Sequence, residues 1–236
     1  MTPDQKMEKY LYKAYAIALR GSIRKPYFQN LGNHLAISTY AGSRGKTECS
    51  HHDFAVGEDI RYKVARTRIE AGESKGIYKS TLIAQVEGLQ IGKRLSVDEV
   101  TCSLTSVYDS KNYPKNCLPR ILPTGSTIRN LRVDGRIQDL LMPPAFHAGG
   151  ETHQSFFRGE RDEDSTLQPG PMPEPIHVPD LGTIYYAEWS WVHPNERHQQ
   201  RLTMLRLALG SDFGGDVDVG VGHSDGTGWP PGVVSS

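Results

Sequence analysis

Four side chains towards the C-terminal end have the types and spacing to hold a cation. In "GGDVDVGVGHSDGTGWPPG", residues 214–232, Asp216, Asp218, His223 and Asp225 stand among glycines. A calcium loop needs several oxygen ligands, commonly Asp at i, i+2 and i+4, with a Gly for the turn. Asp216 and Asp218 fill two such places, but position 220 is Gly and no Glu closes the loop, which excludes an EF-hand. An irregular calcium site built from Asp216, Asp218 and Asp225 is one expectation, and calcium is the only cofactor these residues suggest. The competing reading is a strand. In "DVDVGV" Val217, Val219 and Val221 alternate with the carboxylates, so the valines face a core and the aspartates face water. The clean alternation favours the strand.

A second set could bind a transition metal. His147, Glu151 and His153 lie in "FHAGGETHQSFF", and two His with a Glu can form a zinc or iron triad, hence a metal-dependent enzyme. Yet two glycines break the segment between the histidines, and the spacing matches no recognised ligand pattern. His51 and His52 are adjacent, so on a strand they point to opposite faces. Cys49 stands beside them, but adjacency in sequence is not the geometry of a Cys–His dyad. "GSRGKT" at 42–47 has Tyr40 where a phosphate loop needs its first Gly. There is no G-x-S-x-G. Glu160 and Asp162 to Asp164 read as a solvated acidic run.

The third set is aromatic. In "TIYYAEWSWV", residues 183–192, strict alternation puts Tyr185, Trp189 and Trp191 on one face. Exposed, such a row would stack on sugar rings or anchor a protein partner, making the chain a carbohydrate-binding or other ligand-binding module. Turned inward, the same rings would be sandwich core.

The elements that must position these residues are strands. "STLIAQVEG" (80–88) sets Leu82, Ala84 and Val86 against Thr81, Ile83, Gln85 and Glu87. "VTCSLTSVYD" (100–109) alternates Cys102, Leu104 and Tyr108, and "RLTMLRLALG" (201–210) puts Thr203, Leu205, Leu207 and Leu209 inward with Arg206 outward. Asp134-Gly135, between two alternating runs, marks a type I′ hairpin. Pro194-Asn195 marks a longer hairpin loop ahead of a strand starting near Leu202, and Gly88 and Gly92 punctuate another connection. "KYLYKAYAIALRGSI" nearly alternates and reads as an N-terminal strand. Residues 142–182 are rich in proline, which blocks central strands and helix interiors, so a long insertion loop with little regular structure is expected there. The fold class is all-β: an antiparallel sandwich or jelly-roll-like single domain over residues 1–236, carrying that Pro-rich loop.

Part of this pattern resembles a known family. "STLIAQVEGLQIGKRLSVDEVTCSLTSVYD" and "GSTIRNLRVDGRI", within residues 78–140, are similar to bacterial choice-of-anchor P proteins. The matching positions are Val86, Glu87, Gly88, Leu89 and Ile91; Val97, Asp98 and Val100; and Gly125, Ser126, Leu131, Val133 and Gly135. The resemblance implies a β-rich extracellular protein and carries over no catalytic residue. The chain departs from the family in its Pro-rich insertion and in lacking a recognisable export signal, since Lys9 and Lys13 interrupt the apolar residues near the N-terminus. On its own that would place it in the cytoplasm.

Bulk composition narrows the partners. Lys plus Arg and Asp plus Glu both number 27, so the chain is neutral and nucleic acid is not an expected partner. The longest apolar run, "AYAIAL" at 14–19, is too short for a transmembrane segment. Three cysteines without a C-x-x-C are read as reduced thiols. Together these features favour a non-catalytic β-protein acting as a binding module or a self-assembling structural subunit, a homo-oligomer or one half of a protein or carbohydrate complex.

Overall fold

The structure is a computed structural model, and it describes residues 12–25, 27–31, 36–42, 44–109, 120–146, 172–193 and 196–225; of residues 109, 120, 191–193, 196–199 and 225 it describes the backbone. In chain order the strands are β1 (Tyr12–Ile23), β2 (Gln29–Asn30), β3 (Ile37–Gly42), β4 (Gly45–Val56), β5 (Ile60–Ser74), β6 (Ile77–Ile91), β7 (Leu95–Asp109) and β8 (Arg120–Leu122). There follow β9 (Thr127–Arg129), β10 (Arg132–Val133), β11 (Arg136–Ile137), β12 (Ile176–Val178), β13 (Gly182–His193), β14 (Glu196–Leu209) and β15 (Gly215–Asp225).

They form two antiparallel sheets. One has seven strands in the order β12-β13-β14-β15-β1-β2, with β3 also on β1; the other has eight in the order β11-β10-β7-β6-β5-β4, with β8 and β9 on β7. The sheets share one apolar core, in which Ala16, Leu19, Val217 and Val219 of the first meet Leu82, Val86, Val100 and Cys102 of the second. The all-β sandwich expected from alternation is therefore the fold observed. Burial of such side chains, at about 25 cal/mol per Å² of apolar surface, is the main favourable term.

Local sequence explains the hairpins. Lys75 and Gly76 take φ of 55° and 85° between the paired residues Ser74 and Ile77. Asp134 and Gly135, at 48° and 77°, join Val133 to Arg136. Both turns need two positive φ values, which is why Gly fills the second place. Three expectations need correction. His193 pairs with Glu196, so β14 begins six residues before Leu202 and only two residues separate the strands. Gly88 lies inside β6, not in a turn. The Pro-rich segment ends in a short strand, β12, after a 3-10 turn at Pro144–Phe146; residues 147–171 of it lie outside the described residues.

The central feature of the fold is a crease across each sheet. In the seven-stranded sheet, Ala18, Gly220, Met204 and Ala187 lie level, between the flanking pairs Ile17↔Val221 and Leu19↔Val219, Thr203↔Val221 and Leu205↔Val219, and Glu188↔Thr203 and Tyr186↔Leu205. Two of the four, on alternate strands, are left-handed: Ala187 at φ 51° and Gly220 at φ 62°. At this level two successive residues point inward, as with Tyr186 and Ala187 or Ala18 and Leu19, all buried. In the eight-stranded sheet the level row is Asp53, Lys63, Gly88, Asp98 and Asn130, with φ of 51°, 66° and 52° at Asp53, Gly88 and Asn130. Here two successive residues point outward, so the buried residues of β6 jump from Val86 to Leu89. A Cβ on Gly220 would lie 3.2 Å from Val100 and 3.4 Å from Cys102 of the facing sheet. Gly220 thus sits over Val100 and Cys102, two and four residues along β7 from Asp98 in the crease of the facing sheet.

Candidate functional site

The expected calcium and aromatic residues all fall on β13 and β15, in one sheet, and the crease decides what the described ones can do. On β13 the phase change at Ala187 separates Tyr185 from Trp189. Trp189 is 5% exposed, donates its indole N–H to Gln200 Oε1 at 2.9 Å, and meets the Phe146 ring edge-on at 6.4 Å. It is core. Tyr185 is half-buried on the opposite, outer face, with the Arg206 guanidinium carbon 3.9 Å from its ring centroid. The Trp191 side chain lies outside the described residues. The exposed row Tyr185–Trp189–Trp191 is therefore corrected: strict alternation fails at one left-handed alanine, and the first two rings point to opposite faces.

On β15, Asp216 and Asp218 face outward as expected, and Val217 and Val219 face the core. Val221 is the exception. Gly220 and Gly222 both face the opposite sheet, which puts Val221 on the outer face, where it is nonetheless fully buried beside buried Thr203 and half-buried Ile17. Asp225 lies seven residues beyond Asp218 on the same strand, roughly 20 Å away at about 3.3 Å per residue. Calcium ligands sit at about 2.3–2.6 Å from the ion. The strand does not bring Asp216, Asp218 and Asp225 to a common point. Among the described residues no group of three His, Cys, Asp or Glu side chains could hold a metal. His147, Glu151 and His153 lie outside the described residues.

What the outer face does assemble is an ion network across four strands. Register aligns Arg20 of β1, Asp218 of β15, Arg206 of β14 and Tyr185 of β13 in one row. Arg20 donates from Nε and Nη2 to Asp218 Oδ2 at 2.8 and 2.7 Å, and Arg201 Nη2 donates to the same oxygen at 3.3 Å. Arg206 donates from Nε and Nη2 to the two oxygens of Glu188 at 2.6 and 2.7 Å, a bidentate fork. That fork holds the Arg206 guanidinium above its ordinary pKa. The carboxylates are well shielded: the side chains of Asp218 and Glu188 are 13% and 18% exposed.

Sequence reading missed this network for an identifiable reason. Arg201 and Arg206 are five residues apart, an odd spacing that alternation assigns to opposite faces. The crease at Met204 lies between them and turns both outward. The available signal was Gly220 within an otherwise regular alternating strand, since an interior glycine often marks an irregularity.

The remaining candidate, Cys49 with His51 and His52, is also placed. His51 is partly buried, and a hydrogen bond of 3.0 Å joins its Nδ1 to the Tyr62 hydroxyl; the Phe54 and Tyr62 rings stack at 5.0 Å beside it. His52 is exposed on the other face. A loop outside the sequence candidates carries the most exposed aromatic pair among the described residues. Tyr27 and Phe28, between β1 and β2, are 77% and 69% exposed, next to exposed Arg24 and Lys25. Their loop is tied down by Arg24 N–H and Lys25 N–H bonds to Phe213 O and by Lys25 Nζ on Ser211 O.

A family model described as Domain of unknown function (DUF8256) matches residues 10–143. That span takes in β1 to β11, which is the whole eight-stranded sheet and three strands of the other. No curated protein and no solved structure matches the chain.

Proposed function

We propose, from the premise that the chain belongs to the family Domain of unknown function (DUF8256), that it is a non-catalytic β-sandwich subunit that works through its surfaces, as a self-assembling or binding module. The observation that carries this reading is the outer ion network. A general base must reach the proton it abstracts in a substrate pose. The carboxylate oxygens of Asp218 and Glu188 are instead engaged by the fold's own guanidinium groups, which donate three hydrogen bonds to Asp218 and two to Glu188. The network spans β1, β15, β14 and β13 and locks their outer faces, which suits a rigid subunit better than a reaction centre. Light scattering and electron microscopy of the purified chain test the assembly version: defined oligomers are expected, and a strict monomer at every concentration would remove it.

A second reading, a module for a carbohydrate or protein ligand, is favoured by Tyr27 and Phe28. Two adjacent exposed rings, close in sequence to the anchored Arg24 and Lys25, offer stacking area. Tyr27→Ala with Phe28→Ala should then abolish retention on a glycan or protein array to which the native chain binds; equal retention by both removes this reading.

A further inference from the structure

We propose that β4 is the assembly edge of the subunit and that a second copy of this chain pairs with it, antiparallel, about Cys49. This rests on the self-assembling reading above and names its interface. Among the described residues β4 pairs only with β5, and it is 12 residues long. The other strands at sheet edges are short: β2 and β11 have 2 residues, β12 has 3 and β3 has 6. A long free edge presents a row of N–H and C=O groups that another strand can complete. Glu48, Cys49, Ser50 and His52 on it are all exposed.

Charge and crease together select the occupant and its register. A two-fold pairing sets residue i opposite its mate about one centre, and the two must share a face, because a one-residue slip exchanges the faces. Thr47, Cys49 and His51 share the face of Ile69, Thr67 and Ala65, while Lys46, Glu48, Ser50 and His52 point the other way. The crease at Asp53 ends that regular run. Centring on Cys49 keeps like faces together from Lys46 to His52, the longest such span. Centring on Glu48 opposes the two Glu48 carboxylates. Centring on Ser50 loses face matching beyond 48–52, and centring on Thr47 leaves only 45–49 of β4 paired. About Cys49, Glu48 meets Ser50 of the second copy, with its His52 on one diagonal and its Glu48 on the other, and no carboxylate stands directly opposite another. The charged side chains and the left-handed Asp53 discourage indiscriminate edge pairing; this register is compatible with both. Two eight-stranded sheets would become one continuous sheet.

The pairing puts Cys49 opposite its own copy at a Cα separation of about 4.5–5.5 Å, within disulfide reach. The test is sedimentation of the intact chain under reducing conditions, followed by mild oxidation. A reversible dimer is expected, which oxidation makes covalent through Cys49; Cys49→Ser should keep the dimer and lose the cross-link. In that background Thr47→Cys should cross-link at least tenfold more slowly, since its opposite residue is His51. Ser50→Glu, at an exposed position, opposes a carboxylate to Glu48 at both ends and should weaken the dimer at least tenfold. A dimer that Ser50→Glu leaves intact and that does not cross-link at Cys49 overturns the β4 interface but leaves assembly through another face standing. A monomer under all conditions overturns both.

Discussion

Ala187 and Gly220 both take left-handed φ, 51° and 62°, at the same level of the seven-stranded sheet, with Met204 between them. Left-handed φ costs an ordinary residue such as alanine roughly 1–2 kcal/mol, which glycine avoids and Asn and Asp tolerate. The fold accepts that at Ala187 because the phase change there points Trp189 into the core and turns Glu188 out to Arg206. The crease is thus the step that joins core packing to the outer ion network.

Gly220 can be tested against Gly135, which has a similar φ of 77° but nothing within 4 Å of an added Cβ. At Gly220 the Cβ would sit 3.2 to 3.4 Å from Val100, Met204 and Cys102. Gly135→Ala should lower stability by about 1 kcal/mol, the backbone term alone. Gly220→Ala should lower it by about 2–4 kcal/mol, because overpacking adds to that term. Denaturant midpoints of the two variants check this; equal losses would mean that the sheets yield at the crease.

How much of this was legible in the sequence depends on what carries the information. Alternation in "STLIAQVEG" and the Asp134-Gly135 turn are local, and both gave the correct face and hairpin. The crease is not local. Ala187 is an ordinary alanine in an ordinary strand, and its left-handed φ is imposed by the strands beside it. Alternation therefore keeps Tyr185 and Trp189 on one face, whether core or surface, whereas the structure puts Trp189 in the core and Tyr185 outside. Val221 and Thr203 were misassigned for the same reason on β15 and β14. Gly88 and Gly220 were visible, but one was read as a turn and the other as a missing calcium ligand.

The ion network should matter more than the surface pairs elsewhere. Asp218→Ala would leave Arg20 and Arg201 half-buried without their shared acceptor, and charge-assisted hydrogen bonds contribute about 1.5–3 kcal/mol. A loss of about 2 kcal/mol is expected. Glu58→Ala breaks the exposed Lys93–Glu58 pair and should change stability by less than about 0.5 kcal/mol. Equal effects in urea unfolding would show that the network is ornamental.

The two described cysteines should differ sharply in reactivity. Cys49 is exposed and Cys102 is fully buried, facing Gly222, and burial raises the Cys102 thiol well above its ordinary value. Because the thiolate is the reacting species, an alkylating reagent should modify Cys49 within minutes and Cys102 only on unfolding. Peptide mass mapping of the native chain reads this directly. Gly222→Val would drive a side chain into Leu82 and Cys102, already 2.5 and 2.8 Å from an added Cβ, and should open Cys102 to the reagent.

Alkaline stability should follow Tyr62. Burial pushes its phenol up to about 12, from an ordinary value near 10. The neutral phenol is the form the fold favours, so its contribution is complete below pH 10. Between about pH 10 and 12 the unfolded chain releases a proton that the folded chain keeps, and stability falls with rising pH. Tyr12 is buried and shifted in the same direction, so the fall is shared. Tyr62→Phe removes one share and the hydrogen bond to His51. The variant should be less stable by about 1 kcal/mol at neutral pH, yet lose less between pH 10 and 12. Urea midpoints measured across that range, with phenolate absorbance alongside, decide it. A native-like slope in Tyr62→Phe would assign the alkaline sensitivity to the other groups that burial raises, Tyr12, Tyr78 and Cys102.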